Sequence, residues 1–238
     1  MTIFRVQDEP EISSVLNGIY PILNIEPETD IEKLLDWSMN LADVGIRLVQ
    51  VRAKRIDKDA LPMLLDEVVN HLRGSGLSVI LNDYVEYVRL TGADGVHLGY
   101  EDYPIFEARA ILGQKAIIGA TVRNYGEALH ASGQGASYIA AGSIYPSPTK
   151  GGLPVIGLDG LREIHKHIEE ESVPRPGWGR FGHIPICVIG GITKEKLKDV
   201  HDGGASMVAV IGAIQYAKNQ LEAAGELVRE WESLEQRQ

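Results

Sequence analysis

The sequence predicts a single (β/α)₈ barrel of the TIM type, preceded by a short N-terminal arm, and two observations favour that α/β fold. From residue 18 onward, short runs rich in β-branched residues alternate with longer segments of helical period, which is typical of parallel strands joined by helical crossovers. Eight such pairs fit into about 220 residues, close to the usual size of this barrel. An open doubly wound sheet, the alternative, typically has fewer strands.

Each strand is predicted at a short apolar run, because strands of a parallel barrel are buried on both faces. We place the strands at Ile19–Asn24, Arg47–Arg52, Ser78–Leu81, Gly95–Leu98, Ala116–Ala120, Tyr138–Ala141, Ile186–Ile189 and Met207–Ile211. Residues 1–17 are expected to form an arm or short helix, and residues 18–238 the barrel. A stretch rich in Pro, Gly and Arg at about 169–183 is expected to be an inserted loop.

Two of the predicted helices carry particularly clear signals. Thr29 is followed three residues later by Glu32, a capping-box pattern that predicts a helix beginning after Thr29. Near the C-terminus, apolar residues recur at helical spacing. They predict one long amphipathic closing helix through Ile214, Ala217, Leu221, Ala224, Val228 and Trp231.

The chain is acidic and contains a single cysteine. Its 23 Lys and Arg against 33 Asp and Glu give a formal net charge of -10, which argues against nucleic-acid binding through a broad basic face. Cys187 alone excludes an internal disulfide and a multi-cysteine metal site. No stretch is apolar enough to span a membrane, and residues 1–9 do not resemble a secretory signal. We therefore expect a cytoplasmic protein that binds neither nucleic acid nor membranes; the sequence is compatible with a homo-oligomer without requiring one.

Polar side chains gather where the predicted strands end, which is the mouth of such a barrel. Along the second strand, alternation places Gln50, Arg52 and Lys54 on one face. An amide and two cations would then point the same way, as an anionic ligand requires. The alternative is that the two cations are simply solvated at a strand end.

One aspartate follows each of the next two strands. Asp83 and Asp102 could each cap the helix that comes after it, since aspartate commonly opens helices. Beside cations, however, two carboxylates at one mouth suit Mg²⁺, which is commonly held by carboxylates together with phosphate oxygens. We therefore predict Asp83 and Asp102 as magnesium ligands, with Glu101 nearby. His97 is predicted as a core or second-layer residue, because the histidines show no paired ligand spacing.

Glycine-rich loops follow the later strands. The loop after the sixth strand carries Ser147, Thr149 and Lys150, which could close over anionic oxygens as a lid; the alternative is a solvent-exposed loop of turn residues. After the seventh strand, Gly190 and Gly191 could let backbone N–H groups approach a phosphate, or could make a plain tight turn. Together these features indicate a metal-assisted enzyme that acts on a diphosphate and a second phosphate ester.

At these residues the sequence resembles the thiamine phosphate synthase family, over about residues 18–217. Any one of the motifs would be weak evidence, whereas their order along the chain is specific. The motifs are Gln50-x-Arg52-x-Lys54, Asn82-Asp83, Ala93–Gly99 with Glu101-Asp102, Gly142–Pro146 continuing to Thr149-Lys150, and Ile189–Ile192.

The resemblance implies a reaction and a metal. Hydroxymethylpyrimidine diphosphate would condense with thiazole phosphate to give thiamine phosphate and pyrophosphate, by a dissociative, Mg²⁺-assisted route. The resemblance further implies that the diphosphate is held by the catalytic residues Arg52, Lys54 and Lys150. The Mg²⁺ ligands would be Asp83 and Asp102.

The same resemblance implies where the organic parts of the two substrates lie. Gln50 and Asn82 would face the pyrimidine, and Thr121 would supply a hydroxyl there. The residues expected to border the thiazole phosphate or to close over the ligands are Gly191, Ile211, Gly212, Ser147 and Thr149.

Three positions depart from the family pattern and bear on substrate preference. Tyr100 stands where glutamine is usual, Arg123 where histidine is usual, and Gly212 where serine is common. One rival function is the thiazole tautomerase branch of the same superfamily, an acid–base isomerisation that needs a well-placed proton carrier but no diphosphate clamp. Another is a non-catalytic sensor of thiamine intermediates, which could lose the metal carboxylates freely.

Overall fold

The computed structural model describes residues 12–146, 155–171 and 183–237. Its strands are parallel and hydrogen-bond in chain order, and the last pairs with the first, so the sheet closes into a barrel. The predicted (β/α)₈ fold is confirmed. The strands are β1 Gly18–Asn24, β2 Leu48–Arg52, β3 Ser78–Asn82, β4 Gly95–Leu98, β5 Ile117–Val122, β6 Tyr138–Gly142, β7 Ile186–Ile189 and β8 Met207–Val210.

Helices follow each strand and cover the outside of the barrel. They are α1 Ile12–Val15, α2 Ile31–Ser38, α3 Leu61–Arg73, α4 Val85–Thr91, α5 Ile105–Leu112, α6 Tyr125–Gly133, α7 Gly157–Glu171, α8 Leu197–Asp202, α9 Gly212–Gln215 and α10 Gln220–Glu235. None of the helices in the described ranges is long and apolar enough to cross a membrane.

The start of α2 differs from the prediction. Its capping residue is Asp30, whose Oδ1 accepts the Lys33 N–H at 3.0 Å. The Thr29 hydroxyl instead accepts the Glu26 N–H at 2.8 Å, in the turn before the helix. The helix therefore starts one residue later, because Asp30 offers the better-placed acceptor for the exposed N–H groups of the first turn.

The predicted closing helix is interrupted. Ile214 belongs to the short helix α9, and α10 begins only after Asn219, whose side chain accepts the Glu222 N–H at 3.2 Å. From there the predicted apolar face is correct, since Val228 and Trp231 are buried against the barrel. The C-terminal segment is thus two helices joined by a turn.

Two apolar clusters stabilise the barrel. The larger lies between the strands and the helices, and the smaller fills the interior around Tyr20 and Tyr138. The interior cluster includes Val15 and Leu16, at the end of α1 and directly after it. Since α1 precedes β1, it packs at the amino end of the barrel, opposite the end where such folds carry their active sites.

Gly119 on β5 makes room for the ring of Tyr138 on the neighbouring strand. The two residues are register partners, and a Cβ on Gly119 would lie 2.1 Å from Cζ of Tyr138. A glycine in a buried strand often marks such a close approach. The large interior ring at the barrel centre therefore depends on a missing side chain beside it.

Candidate active site

A cavity of about 540 Å³ opens at the carboxyl ends of the strands. It brings together the following residues predicted for the site: Gln50, Arg52, Lys54, Asn82, Asp83, Asp102 and Thr121. Tyr20, His97, Tyr100 and Arg123 also line it. Polar side chains from β1 to β5 and their loops therefore share one cavity, and small or apolar residues of β6 to β8 complete its lining.

The two predicted carboxylates lie together on one side of this cavity. Asp83 follows β3 with a backbone φ of 73°, and its N–H donates to the carbonyl of His97 at 2.9 Å. Asp102 accepts the Gly99 N–H at 2.6 Å, which ties the loop after β4 into a turn. A left-handed φ at a residue other than glycine is a strained conformation that persists only where surrounding contacts enforce it, and such residues cluster at functional sites.

Neither carboxylate caps a helix. The residue at the start of α4 is Tyr84 and that at the start of α5 is Pro104, and neither helix has a side-chain cap. The capping alternative for Asp83 and Asp102 is therefore wrong. Both side chains are directed instead to partners in and around the cavity.

Burial and mutual contact shift the pKa values of the two aspartates in opposite directions. Burial raises the pKa of Asp83 to about 6, a hydrogen bond with Asp102 adds to the rise, and Lys54 opposes it. Burial also acts to raise the pKa of Asp102, but the hydrogen bonds from Asp83 and from the Gly99 N–H outweigh it and lower the pKa. Below about pH 6, a proton therefore binds at Asp83 before it binds at Asp102, as expected for like charges that share a site.

The cations of β2 have partners on both sides. Lys54 Nζ lies 2.7 Å from Oδ2 of Asp83, and Arg52 donates from Nη1 to Oδ1 of Asn24 at 2.5 Å. The two side chains are thus held at the cavity by contacts with neighbouring strands. Their positive charge faces the space beside the carboxylates, where an anion with a bound divalent cation would fit.

A chain of hydrogen bonds, here called the floor chain, crosses the barrel beneath the cavity. Gln50 Nε2 donates to the hydroxyl of Tyr20 at 3.0 Å, and the hydroxyls of Tyr20 and Tyr138 lie 2.9 Å apart. His97 continues it, with Nδ1 3.0 Å from the Tyr138 hydroxyl and Nε2 3.0 Å from Oγ1 of Thr121. Burial raises the pKa of both tyrosines, so they remain neutral hydroxyls.

The floor chain connects two predicted site residues through groups to which the sequence assigned no function. Gln50 and Thr121 are its ends, and Tyr20 and Tyr138 are its centre. The sequence could have indicated the two tyrosines, since each lies within an apolar strand. A tyrosine hydroxyl buried in this way usually requires a hydrogen-bond partner. His97 is buried as predicted, but it is part of this polar chain.

The glycines after β7 pack tightly against the loop after β6. Gly190 and Gly191 have φ values of 108° and 59°, and a Cβ on Gly191 would lie 2.4 Å from the carbonyl oxygen of Pro146. This geometry requires glycine at 191 for packing. Gly191, Ile211 and Gly212 do not line the 540 Å³ cavity, so a phosphate at these loops would lie beside it.

The cavity offers two carboxylates as donors to a metal ion. Within the described ranges, no group of three or more His, Cys, Asp or Glu side chains is placed to hold an ion. Two carboxylates, those of Asp83 and Asp102, nevertheless line the same cavity. That set fits Mg²⁺, which usually keeps several waters and takes only one or two carboxylates plus substrate phosphates.

Comparison with known proteins agrees with this geometry. A family model described as thiamine monophosphate synthase matches residues 19–214, which run from the second residue of β1 past the end of β8. The chain belongs to the thiamine monophosphate synthase family. It is accordingly an enzyme of the transferase class, as predicted.

Individual relatives match most of their own length. The thiamine-phosphate synthase of Caldivirga maquilingensis is 32% identical over 215 residues, 90% of this chain and 97% of the relative. That of Thioalkalivibrio sulfidiphilus is 37% identical over 209 residues, 86% of this chain and 90% of the relative. A solved thiamine phosphate pyrophosphorylase from Pyrococcus furiosus has a TM-score of 0.73 at 30% identity, covering 92% of this chain and 97% of that one.

Some predicted positions of this family member lie outside the described residues. They are Ser147, Thr149 and Lys150, together with residues 172–182 of the predicted insertion. The lid and the third cation of the diphosphate clamp therefore stay predictions. The three family departures all lie in the described part, and two of them, Tyr100 and Arg123, meet at the cavity rim.

Proposed function

We propose that the protein condenses hydroxymethylpyrimidine diphosphate with thiazole phosphate, releasing thiamine phosphate and pyrophosphate. The observation that carries this proposal is the single cavity in which the cations Arg52 and Lys54 face the carboxylates Asp83 and Asp102. A diphosphate leaving group with a divalent ion requires both charge types side by side. The relatives that match most of the chain carry the name of this activity.

Asp83 and Asp102 would hold the Mg²⁺. When bound, the ion supplies positive charge to the diphosphate and so stabilises it as a leaving group. The chain contributes the remaining stabilisation through Arg52 and Lys54, with Lys150 as the predicted third cation. These groups act on charge that develops on the leaving oxygens, which is where preorganised electrostatics accelerate a reaction most.

The proposed reaction is dissociative. The C–O bond between the pyrimidine methylene and the diphosphate breaks, and its electron pair stays with the pyrophosphate oxygen. The lone pair of the thiazole nitrogen then forms the new C–N bond to the methylene carbon. No proton transfer from the protein is needed to balance this step, so the residues serve to bind, orient and stabilise charge.

The floor chain would orient the pyrimidine. Gln50 and Thr121 are the two ends of the floor chain, and both line the cavity, as does Asn82. Because the interior hydroxyls are neutral and fixed, they present directed donors and acceptors to a ring that carries an amino group and ring nitrogens. The thiazole phosphate would lie near Gly191, Ile211 and Gly212, with Ser147 and Thr149 closing over both ligands.

The tautomerase alternative needs a proton carrier in the cavity. At the end of β5 the chain has Arg123, which stays protonated and cannot act as a base. His97 has both ring nitrogens within 3.0 Å of hydroxyl groups in the floor chain. The cavity thus favours a leaving-group reaction over an acid–base isomerisation.

The phosphorylated substrates and a single buried thiol at Cys187 favour a cytoplasmic setting.

The test is a reaction with defined substrates. Purified protein is mixed with hydroxymethylpyrimidine diphosphate and thiazole phosphate, with Mg²⁺ or with a chelator, and thiamine phosphate is followed by mass spectrometry. We expect product only with both substrates and Mg²⁺. Bound substrates without product would contradict the synthase proposal and favour the sensor; conversion of a thiazole tautomer without pyrimidine substrate would favour the tautomerase.

A further inference from the structure

Arg123 and Tyr100 form a stacked pair at the rim of the cavity. Arg123 follows β5 and Tyr100 lies in the loop after β4, and both line the cavity. The guanidinium carbon lies 4.4 Å from the centre of the tyrosine ring, within the range of a cation–π contact. Because the same loop carries Asp102, the pair places a further cation on the β5 side of the carboxylates.

Glu127 holds the guanidinium along one edge. Nη2 of Arg123 donates to Oε1 at 3.0 Å and Nε donates to Oε2 at 3.3 Å, while the Arg123 backbone N–H donates to Oε2 at 2.8 Å. Nη1 has no hydrogen-bond partner in the part of the chain that the structure describes. The planar guanidinium can therefore bind a second anion through its Nη1 and Nη2 hydrogens while Glu127 fixes its plane.

We propose that Arg123 is a further substrate-binding residue, which contacts the diphosphate from the β5 side while Arg52 and Lys54 contact it from β2. The proposal rests on the function proposed above. The position of Arg123 favours the diphosphate over the thiazole phosphate, because its partner Tyr100 lies in the same loop as Asp102. The glycines expected at the thiazole phosphate follow β7 and β8, on another part of the barrel rim.

A purely structural role for Arg123 makes a different prediction. Its side chain is 42% exposed, and a partly exposed ion pair such as the one with Glu127 contributes little to stability. Loss of the guanidinium should then leave both folding and ligand binding nearly unchanged. A substrate-binding role predicts a loss of anion affinity with little change in thermal stability.

The experiment is calorimetric titration with inorganic pyrophosphate in the presence of Mg²⁺, on the full chain. Arg123→Gln is compared with Arg55→Gln, which removes the same charge from the loop after β2, where Arg55 pairs with Glu26 and does not line the cavity. We expect pyrophosphate affinity to fall about tenfold in Arg123→Gln and less than about twofold in the control. The difference should shrink as salt is raised, because a partly exposed charge is screened.

Steady-state kinetics give a second, independent measurement. In Arg123→Gln the KM for the diphosphate substrate should rise by a similar factor, while the KM for thiazole phosphate stays within about twofold. Arg123→Lys should restore only part of the affinity, since an ammonium cannot bind through a planar edge.

Equal pyrophosphate affinity in the two glutamine variants would overturn the inference, and so would a KM change confined to thiazole phosphate. If the wild-type protein makes no thiamine phosphate but still binds pyrophosphate through Arg123, the proposed function fails and the anion site stands. The two failures are therefore distinguishable.

Discussion

Lys54 Nζ lies 2.7 Å from Oδ2 of Asp83, so a cation of the protein already contacts the carboxylate assigned to the metal. Both partners require Asp83 to be ionised, because an ammonium and Mg²⁺ are each attracted by the negative carboxylate. Under the proposed function, Mg²⁺ at Asp83 would compete with Lys54 for the carboxylate. Lys54, which lines the same cavity, would then be available to bind the diphosphate.

Replacing Asp102 by asparagine should lower Mg²⁺-dependent kcat/KM by about 100-fold, because a neutral amide is a poor ligand for a hard cation. The fold should persist, since Asp102 caps no helix and its main-chain contact is one bond from Gly99. Kinetics and thermal unfolding check the two parts. Asp66→Asn, at an exposed site on α3, is the control and should be silent. Near-normal activity in Asp102→Asn would contradict the metal assignment.

Mg²⁺ affinity should depend on pH near 6. Below the pKa of about 6 at Asp83, the proton shared with Asp102 must leave before the ion can bind, so protons compete with the metal. Affinity should be nearly constant above pH 7 and should fall by about tenfold for each pH unit well below 6. Calorimetry in two buffers of different ionisation enthalpy measures both the affinity and the proton release. An affinity that is flat from pH 5 to 7.5 would show that the pair does not hold the ion.

Tyr138→Phe should destabilise the protein by about 1 to 3 kcal/mol, because it leaves the buried Tyr20 hydroxyl and Nδ1 of His97 without their shared partner. The ring itself is kept, so packing changes little. Urea unfolding monitors the free energy. The matched control is Tyr216→Phe, whose side chain is 63% exposed and should change stability by less than about 0.5 kcal/mol. Equal free energies of unfolding for the two variants would show that the hydrogen bonds of Tyr138 in the floor chain do not stabilise the fold.

Gly119→Ala should destabilise the barrel by about 3 kcal/mol or more, since its Cβ would overlap the Tyr138 ring and only backbone movement could relieve the clash. Gly133→Ala, the control in α6, has nothing within 4 Å of the added Cβ. It should stabilise the protein slightly, because alanine favours a helix. Thermal unfolding of both variants is decisive: a tolerated Gly119→Ala would mean that the interior repacks freely.

Much of this fold could be predicted because barrel strands leave a strong local signal. Burial on both faces makes each strand an apolar run, and the predicted and observed bounds agree within two residues. Alternation along β2 also placed Gln50, Arg52 and Lys54 in one cavity. These features depend on short-range periodicity, which the sequence carries directly.

Features that depend on competition between neighbouring capping residues, or on the register of the strands, were harder to predict. Thr29 and Asp30 are both good capping residues, and only the turn contact of Thr29 with Glu26 decides between them. The floor chain requires Tyr20 and Tyr138 to meet across the barrel interior, although 118 residues separate them. Their meeting follows from strand stagger and from Gly119, neither of which a local pattern reports.

The packing of α1 at the amino end of the barrel bears on the order in which ligands bind and leave. Val15 and Leu16 join the interior cluster, so apolar side chains fill the barrel below the floor chain, and the cavity described above lies at the opposite end. Whatever binds deepest must arrive first and depart last. In the proposed reaction the pyrimidine diphosphate would bind at that place first, and the thiazole phosphate would then cover it, which would keep bulk water from the cation until the C–N bond has formed.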